Sequence, residues 1–183
     1  VSKIRCFVGF FVPEYLRRGI FKVQDLISKL PASCKMVEAE NLHVNLSFLG
    51  DVDESNVPSI SKMLAEISSH YSCFEVEIGK IKLIPNQSYV RVVVLDIIDN
   101  SGGLGKMSSE ITEKIGGSSK PPHITLCRVR NVLEKNGFVR GVGELKFNAG
   151  VRFAVDSISL IKSELAREGP SYSVLKEFTL SGG

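Results

Sequence analysis

Two of the three histidines in the chain head nearly matching segments, "HVNLSFLG" at 43–50 and "HITLCRVR" at 123–130. Each begins histidine, β-branched aliphatic, short polar residue, leucine. Both segments are β-prone, and in a strand residues i and i+2 share a face. His43, Asn45 and Ser47 are therefore expected to point one way, with Val44, Leu46 and Phe48 opposite them in a core. In the second segment His123, Thr125 and Cys127 share a face against Ile124 and Leu126. One histidine in an amphipathic strand is ordinarily a hydrogen-bonded structural residue. Two copies of the arrangement point to chemistry. Imidazoles titrate near neutrality and can divide general-acid and general-base work. A Thr hydroxyl or Asn amide beside them can donate to a phosphoryl oxygen.

The surrounding pattern supplies the elements that must position these groups. "IRCFVGFFV" at 4–12 is a β-prone run, and Pro13 then opens a helix. Leu16, Ile20, Val23, Ile27 and Leu30 form its apolar stripe, and Pro31 ends it. "CKMVEAENL" reads as a short strand and loop leading to the first histidine segment. Val57, Ile60, Leu64 and Ile67 mark a second helix over 56–70. "CFEVEIGKIKLI" and "YVRVVVLDI" form a hairpin across "PNQS". Ser101 caps a third helix carrying Leu104, Met107, Ile111 and Ile115, and "GGSSKPP" is a flexible loop before His123. A short helix follows from Asn131, and "VRFAVDSISLIKSEL" and "YSVLKEFTL" are two closing strands. Strands, helices and hairpins mixed in this way give an α+β fold. The two histidine segments lie 80 residues apart, each after a strand–helix stretch, which suggests two similar halves within one domain spanning residues 1–183.

These segments resemble the paired H-x-T/S-x motifs of the two-histidine phosphoesterase superfamily, in particular its RNA 2′,3′-cyclic phosphodiesterase branch, the 2′-5′ RNA ligase-like proteins. Each tetrapeptide is unspecific alone; the ordered set is specific. "RCFVGFFVP" is similar to the family's first strand, "ENLHVNLSFLGDV" and "PPHITLCRVR" to its two motifs, "PNQSYVRVVV" to its central hairpin and "SELAREGPSYSVL" to its terminal hairpin. The resemblance implies a two-lobed, pseudo-symmetric fold in which antiparallel sheets backed by outer helices face a central cleft. It implies opening of 2′,3′-cyclic phosphates at RNA 3′ ends to 2′-phosphates, with His123 taking a proton from water and His43 protonating the departing 3′ oxygen. Asn45 and Thr125 would hold non-bridging oxygens. Asn45 departs from the family's usual Thr or Ser, and an amide can still donate there, with different reach.

Further residues are candidates for binding. The family often carries a basic residue just after the second motif, where this chain has Arg128. Strand parity turns position 128 away from His123, and a bulge would be needed to bring it in. Tyr89, Arg91 and Tyr172 match positions near the family's cleft, where a base could stack, and core packing suits the tyrosines equally well. Phe7 and Phe48 read as core. His70 lies at a helix end as a surface or capping residue.

The scheme calls for no cofactor or metal, and no HExxH pattern or cysteine ligand set is present. The four cysteines are scattered without a CxxC pair and read as reduced thiols of a cytoplasmic protein. The formal net charge of +3 implies no general polyanion-binding field, although a local rim could steer RNA. No bilayer-length apolar run and no signal peptide are seen, the expected partners are RNA 3′ ends or small cyclic-phosphate nucleotides, and the protein is expected to be a monomer. Residues Ser181, Gly182 and Gly183 are expected to be disordered. Two alternatives remain. One is a 2′-5′ RNA ligase that joins tRNA halves, although the lack of a P-loop motif argues against an ATP-using route. The other is an RNA-end-binding protein weakened in catalysis at Asn45.

Overall fold

The structure, a computed structural model, describes residues 1–181. The described residues form nine strands and four α-helices. The first half runs β1 (Lys3–Phe11), α1 (Glu14–Ser28), β2 (Ala32–Met36), β3 (His43–Asp53) and α2 (Val57–Ser69). A hairpin of β4 (Phe74–Pro85) and β5 (Val90–Ile98) leads to α3 (Gly103–Lys114) and β6 (His123–Val132). The chain closes with α4 (Lys135–Glu144), β7 (Arg152–Val155), β8 (Ser157–Ala166) and β9 (Gly169–Thr179).

All strand pairing is antiparallel apart from an isolated bridge at Ser72 and Ser181, and the strand order is β7-β4-β5-β6-β3-β1-β8-β9, with β2 added to a free stretch of β6. The sheet has two lobes. In one, β1 pairs with β3 and β8; in the other, β5 pairs with β6 and β4. Each lobe therefore contains a strand–helix–strand unit, β1–α1–β3 or β5–α3–β6, whose last strand begins with a histidine. The lobes join where β3 meets β6 at a single ladder pair, Val44 with Ile124. Both side chains are completely buried, and one apolar core runs beneath the seam. The apolar stripes of α1, α2 and α3 supply that core with Ile20, Ile27, Leu64, Ile67, Met107 and Ile111. Completely burying one such side chain contributes roughly 1.5–3 kcal/mol.

Several local expectations are corrected. The long strand expected from 151 breaks at Asp156 into β7, which pairs with β4, and β8, which pairs with β1. The helix expected from Asn131 starts at Lys135, because β6 continues to Val132 and the Glu134 side chain then accepts from Asn136 and Gly137 amides as an N-cap. Ser101 lies one residue outside the N-cap of α3 at Gly102, and its hydroxyl accepts from Gly103 N–H at 3.0 Å. The "GGSSKPP" loop is anchored: Ser118 exchanges backbone hydrogen bonds of 2.8 and 3.0 Å with Phe48, and Gly117 adopts φ +96° where a side chain would meet Ser47. Ser181 is also held, its N–H donating to Tyr71 O at 2.9 Å, whereas Gly182 and Gly183 lie outside the described residues. His70 is the C-cap residue of α2, and its Nδ1 meets Glu110 on α3 at 2.9 Å. Tyr71 and Lys114 complete the shell around that carboxylate, and burial, together with the bond to it, pushes the Tyr71 phenol up to about 12.

Candidate active site

The seam brings the two motifs together. With Val44 opposite Ile124, the antiparallel ladder sets His43 across from Thr125 and Asn45 across from His123. Alternation turns all four side chains to the face opposite the core. His43 and His123 are diagonal neighbours, on the order of 7–8 Å apart at the backbone. Each imidazole is fixed by the same device. His43 Nδ1 lies 2.7 Å from Asn41 O, and His123 Nδ1 lies 2.8 Å from Pro121 O. A carbonyl can only accept, so each Nδ1 carries the proton and each Nε2 is left with a lone pair in the neutral ring.

Beyond this quartet the strands leave simple alternation. Val8 pairs with Ser47 and Gly9 with Asn45, so Leu46 is an extra residue of β3. Likewise Val93 pairs with Cys127 and Val94 with Thr125, so Leu126 is extra in β6. The two bulges fall at the same position of the two motifs, and each resets the facing of the residues after it. Leu46 and Ser47 are both buried, as are Leu126 and Cys127. Ser47 and Cys127 therefore do not share the histidine face, contrary to parity. Phe48 and Arg128 do, and Phe48 is 45% exposed rather than part of the core. The bulge thus answers the parity objection to Arg128. Gly9 permits the approach of β1 at the first bulge, since a Cβ there would run into the Val44 carbonyl.

The cleft beside the quartet has a volume of about 1600 Å³. His43, Thr125, Arg128, Tyr89, Arg91 and Tyr172 all line it. Asn45 instead lines an adjoining hollow of about 310 Å³, as do Pro121 and Pro122 just before His123; Lys120 borders both spaces. His123 is partly exposed and is not among the residues lining either space. The Asn45 Nδ2 is buried without a hydrogen-bond partner. Tyr89 is 66% exposed at the tip of the β4–β5 hairpin, and Arg91 is exposed two residues on.

An aromatic wall surrounds His43. Its ring centroid is 4.9 Å from Phe7, 5.2 Å from Tyr172 and 6.4 Å from Phe11. Phe7 is buried as expected, yet it is also the floor on which His43 rests. Burial is the main reason that the His43 pKa is held below the ordinary histidine value; the nearby charge of His123 acts in the same direction, and the bond to Asn41 O opposes both. Burial raises the Tyr172 phenol pKa, against the opposing pull of Arg128. Asn41 escaped the sequence reading. Its carbonyl holds His43 while its side chain donates to Pro170 O at 3.0 Å, tying the start of β9, and hence Tyr172, to the first motif. Only its place two residues before the histidine could have signalled it. Lys35 and Glu38, paired at 3.1 Å on the cleft wall, also went unnoticed. Cys34 and Cys127 approach each other as free thiols between β2 and β6.

A curled antiparallel sheet carrying one histidine motif from each lobe at its seam defines a two-histidine phosphoesterase. The chain belongs to the LigT-like phosphoesterase family, as a relative more than 30% identical along nearly the whole chain shows, and the family model described as LigT like Phosphoesterase matches residues 11–94. It is similar to the RNA 2′,3′-cyclic phosphodiesterase of Methanothermobacter thermautotrophicus, 31% identical over 97% of this chain and 100% of that protein. The protein of the same name from Aquifex aeolicus is 29% identical over 98% of each chain. In fold it is similar to E. coli LigT complexed with 3′-AMP, with TM-score 0.79, 23% identity and complete coverage of both chains. It is likewise similar to TT0787 of Thermus thermophilus, with TM-score 0.77, 24% identity and coverage of 98% and 99% of the two chains.

Proposed function

We propose that this protein hydrolyses 2′,3′-cyclic phosphates at RNA 3′ ends, leaving 2′-phosphomonoesters. The observation that carries this reading is the seam quartet, two imidazoles with matched tautomers and a short polar donor beside each. The names of the full-length relatives support the same substrate class. Water attacks phosphorus and gives its proton to Nε2 of His123. The bond from phosphorus to the 3′ oxygen breaks, and that oxygen takes a proton from Nε2 of His43, which enters the step as the imidazolium and leaves it neutral while His123 becomes the imidazolium. Each proton transfer contributes on the order of 100- to 10,000-fold in rate.

Thr125 donates its hydroxyl to one non-bridging oxygen and Asn45 its amide to the other. The buried, unpartnered Nδ2 of Asn45 suits a half-turn of the amide, which exchanges oxygen and nitrogen within one envelope and presents the NH2 outward. Arg128 supplies positive charge to the bound phosphate. Tyr172 packs the acid His43 from the side. Tyr89, exposed at the rim beside Arg91, offers a face for stacking a base. The chain acts as one domain and as a cytoplasmic monomer in this reading; among the described residues, no helix is long and apolar enough to cross a membrane. The two imidazoles account for both proton transfers and Arg128 for the charge on the phosphate, so the scheme assigns no step to a metal.

The test is a chromatographic time course on a short RNA ending in a 2′,3′-cyclic phosphate, with and without chelator and with and without a 5′-hydroxyl RNA. A 2′-phosphate product formed at the same rate with chelator supports the proposal. Dominant 2′-5′ joining would make the protein a ligase, and tight binding without turnover would make it an end-binding protein.

A further inference from the structure

The charge of this chain is concentrated in the cleft. Eight basic side chains line it against two carboxylates, Glu38 and Glu168. The lining is net six positive in a chain of formal charge +3, so the remaining surface is net three negative. A single cyclic phosphate does not need this much charge. The volume of about 1600 Å³ also exceeds the roughly 300–1,000 Å³ of pockets that enclose one small ligand.

The surplus is unevenly placed. Five of the eight basic residues, Lys35, Arg91, Arg128, Arg130 and Lys135, lie on β2, β5, β6 and the start of α4, whereas Arg5, Lys120 and Arg167 line other parts of the cleft. Lys35 on β2 stands directly opposite Arg128 in the ladder, and Glu38, 3.1 Å from Lys35, pairs with the lysine. Arg130 comes next on β6, Lys135 opens α4, and Arg91 lies on β5. Among the described residues, Arg91, Arg128, Arg130 and Lys135 have no acidic partner within 4.0 Å. Unpaired cations gathered on one wall form a track for a repeating anion.

We propose that this wall binds the phosphodiester backbone on the 5′ side of the reacting nucleotide, so that the preferred substrate is a polynucleotide end rather than a cyclic mononucleotide. The inference rests on the hydrolase reading above. An RNA whose last group is a cyclic phosphate has nothing beyond the histidines. Whatever fills the rest of the cleft is upstream chain. Arg130 and Lys135 each meet one upstream phosphate.

The experiment is a length series: a 2′,3′-cyclic mononucleotide and RNAs of two, four and eight nucleotides with the same end. Each is assayed for kcat/KM and for binding by fluorescence anisotropy, at 50 and 200 mM salt. The expected result is a rise of about tenfold or more in kcat/KM from mononucleotide to tetramer, with little further gain. Two neutralised phosphates give a salt slope of about −1.4, so binding of the tetramer weakens roughly sevenfold across this range. Arg130→Glu with Lys135→Glu should erase most of the tetramer advantage. Both side chains are exposed, and an acid in the first turn of α4 suits the helix dipole, so folding is retained. The milder pair Arg130→Gln and Lys135→Gln should give an intermediate loss. Equal efficiency and equal binding at every length, or a length advantage untouched by the charge swap, would overturn the proposal. If no substrate turns over but the length- and salt-dependent binding remains, the hydrolase reading fails and the backbone track stands.

Discussion

His43 and His123 are held alike, each through Nδ1 to the carbonyl two residues before it, at 2.7 and 2.8 Å. The backbone thus chooses one tautomer for both rings and leaves both Nε2 atoms for chemistry. Replacing either ring with alanine should lower kcat/KM by at least about 100-fold, with the thermal midpoint of His123→Ala close to that of the wild type and that of His43→Ala lowered by the loss of its packing against Phe7 and Tyr172. Steady-state assays paired with thermal melts check this. Turnover near the wild-type rate in His123→Ala would remove the base from the scheme.

The environments of the two rings differ, and this has a pH signature. The aromatic wall favours neutral His43, so one limb of the kcat/KM profile should have its midpoint below the ordinary value of 6.5. Tyr172→Ala admits water, which favours the imidazolium, and should move that limb upward. Stability follows the same sign. The folded state resists protonating His43, so its contribution is complete above the unfolded-state value near 6.5 and declines as pH falls through it toward the lower folded value. Thermal midpoints at pH 7.5 and 5.5 should differ less in His43→Gln than in the wild type.

At Gly9 the prediction concerns backbone packing. A methyl group there meets the Val44 carbonyl, at the point where β1 accommodates the Leu46 bulge. Gly9→Ala should destabilise the protein by about 1–3 kcal/mol in urea unfolding. It should also reduce turnover, because Val44 carries His43 and Asn45 on either side. A fully stable, fully active Gly9→Ala protein would contradict this account of the bulge.

Asn45→Thr replaces an amide whose inner end is buried without a partner whichever way the amide is turned. Leaving such a group unsatisfied costs about 1–3 kcal/mol. The substitution should raise the unfolding free energy by about 1 kcal/mol and keep or increase turnover of the cyclic phosphate. Loss of activity in the threonine variant would show that substrate binding depends on the amide.

Much of this architecture could be read from the chain because its two periodicities are clean. The stripes of Leu16 to Ile27 and of Leu104 to Ile111 gave two helices, and the buried Val44 and Ile124 followed from alternation. The matched histidine segments located both halves of the site. Reading failed where pairing with a neighbouring strand outweighed local pattern. Strict alternation put Ser47 and Cys127 in the cleft and Phe48 in the core, and two bulges at Leu46 and Leu126 reversed these placements. Such bulges are set by contacts with β1 and β5, far away in sequence. Asn41 and Lys35 were missed for a similar reason, since their roles depend on β9 and β6.

The diagonal placement of the imidazoles across the Val44–Ile124 seam has a stereochemical consequence. The proposed reaction puts a proton acceptor on one side of phosphorus and a proton donor on the other, and so requires the entering and departing oxygens to lie along one line. A cyclic phosphorothioate of known handedness opened in isotopically labelled water should therefore give product with inverted configuration. Retention would instead require two successive displacements and a covalent adduct on one of the rings.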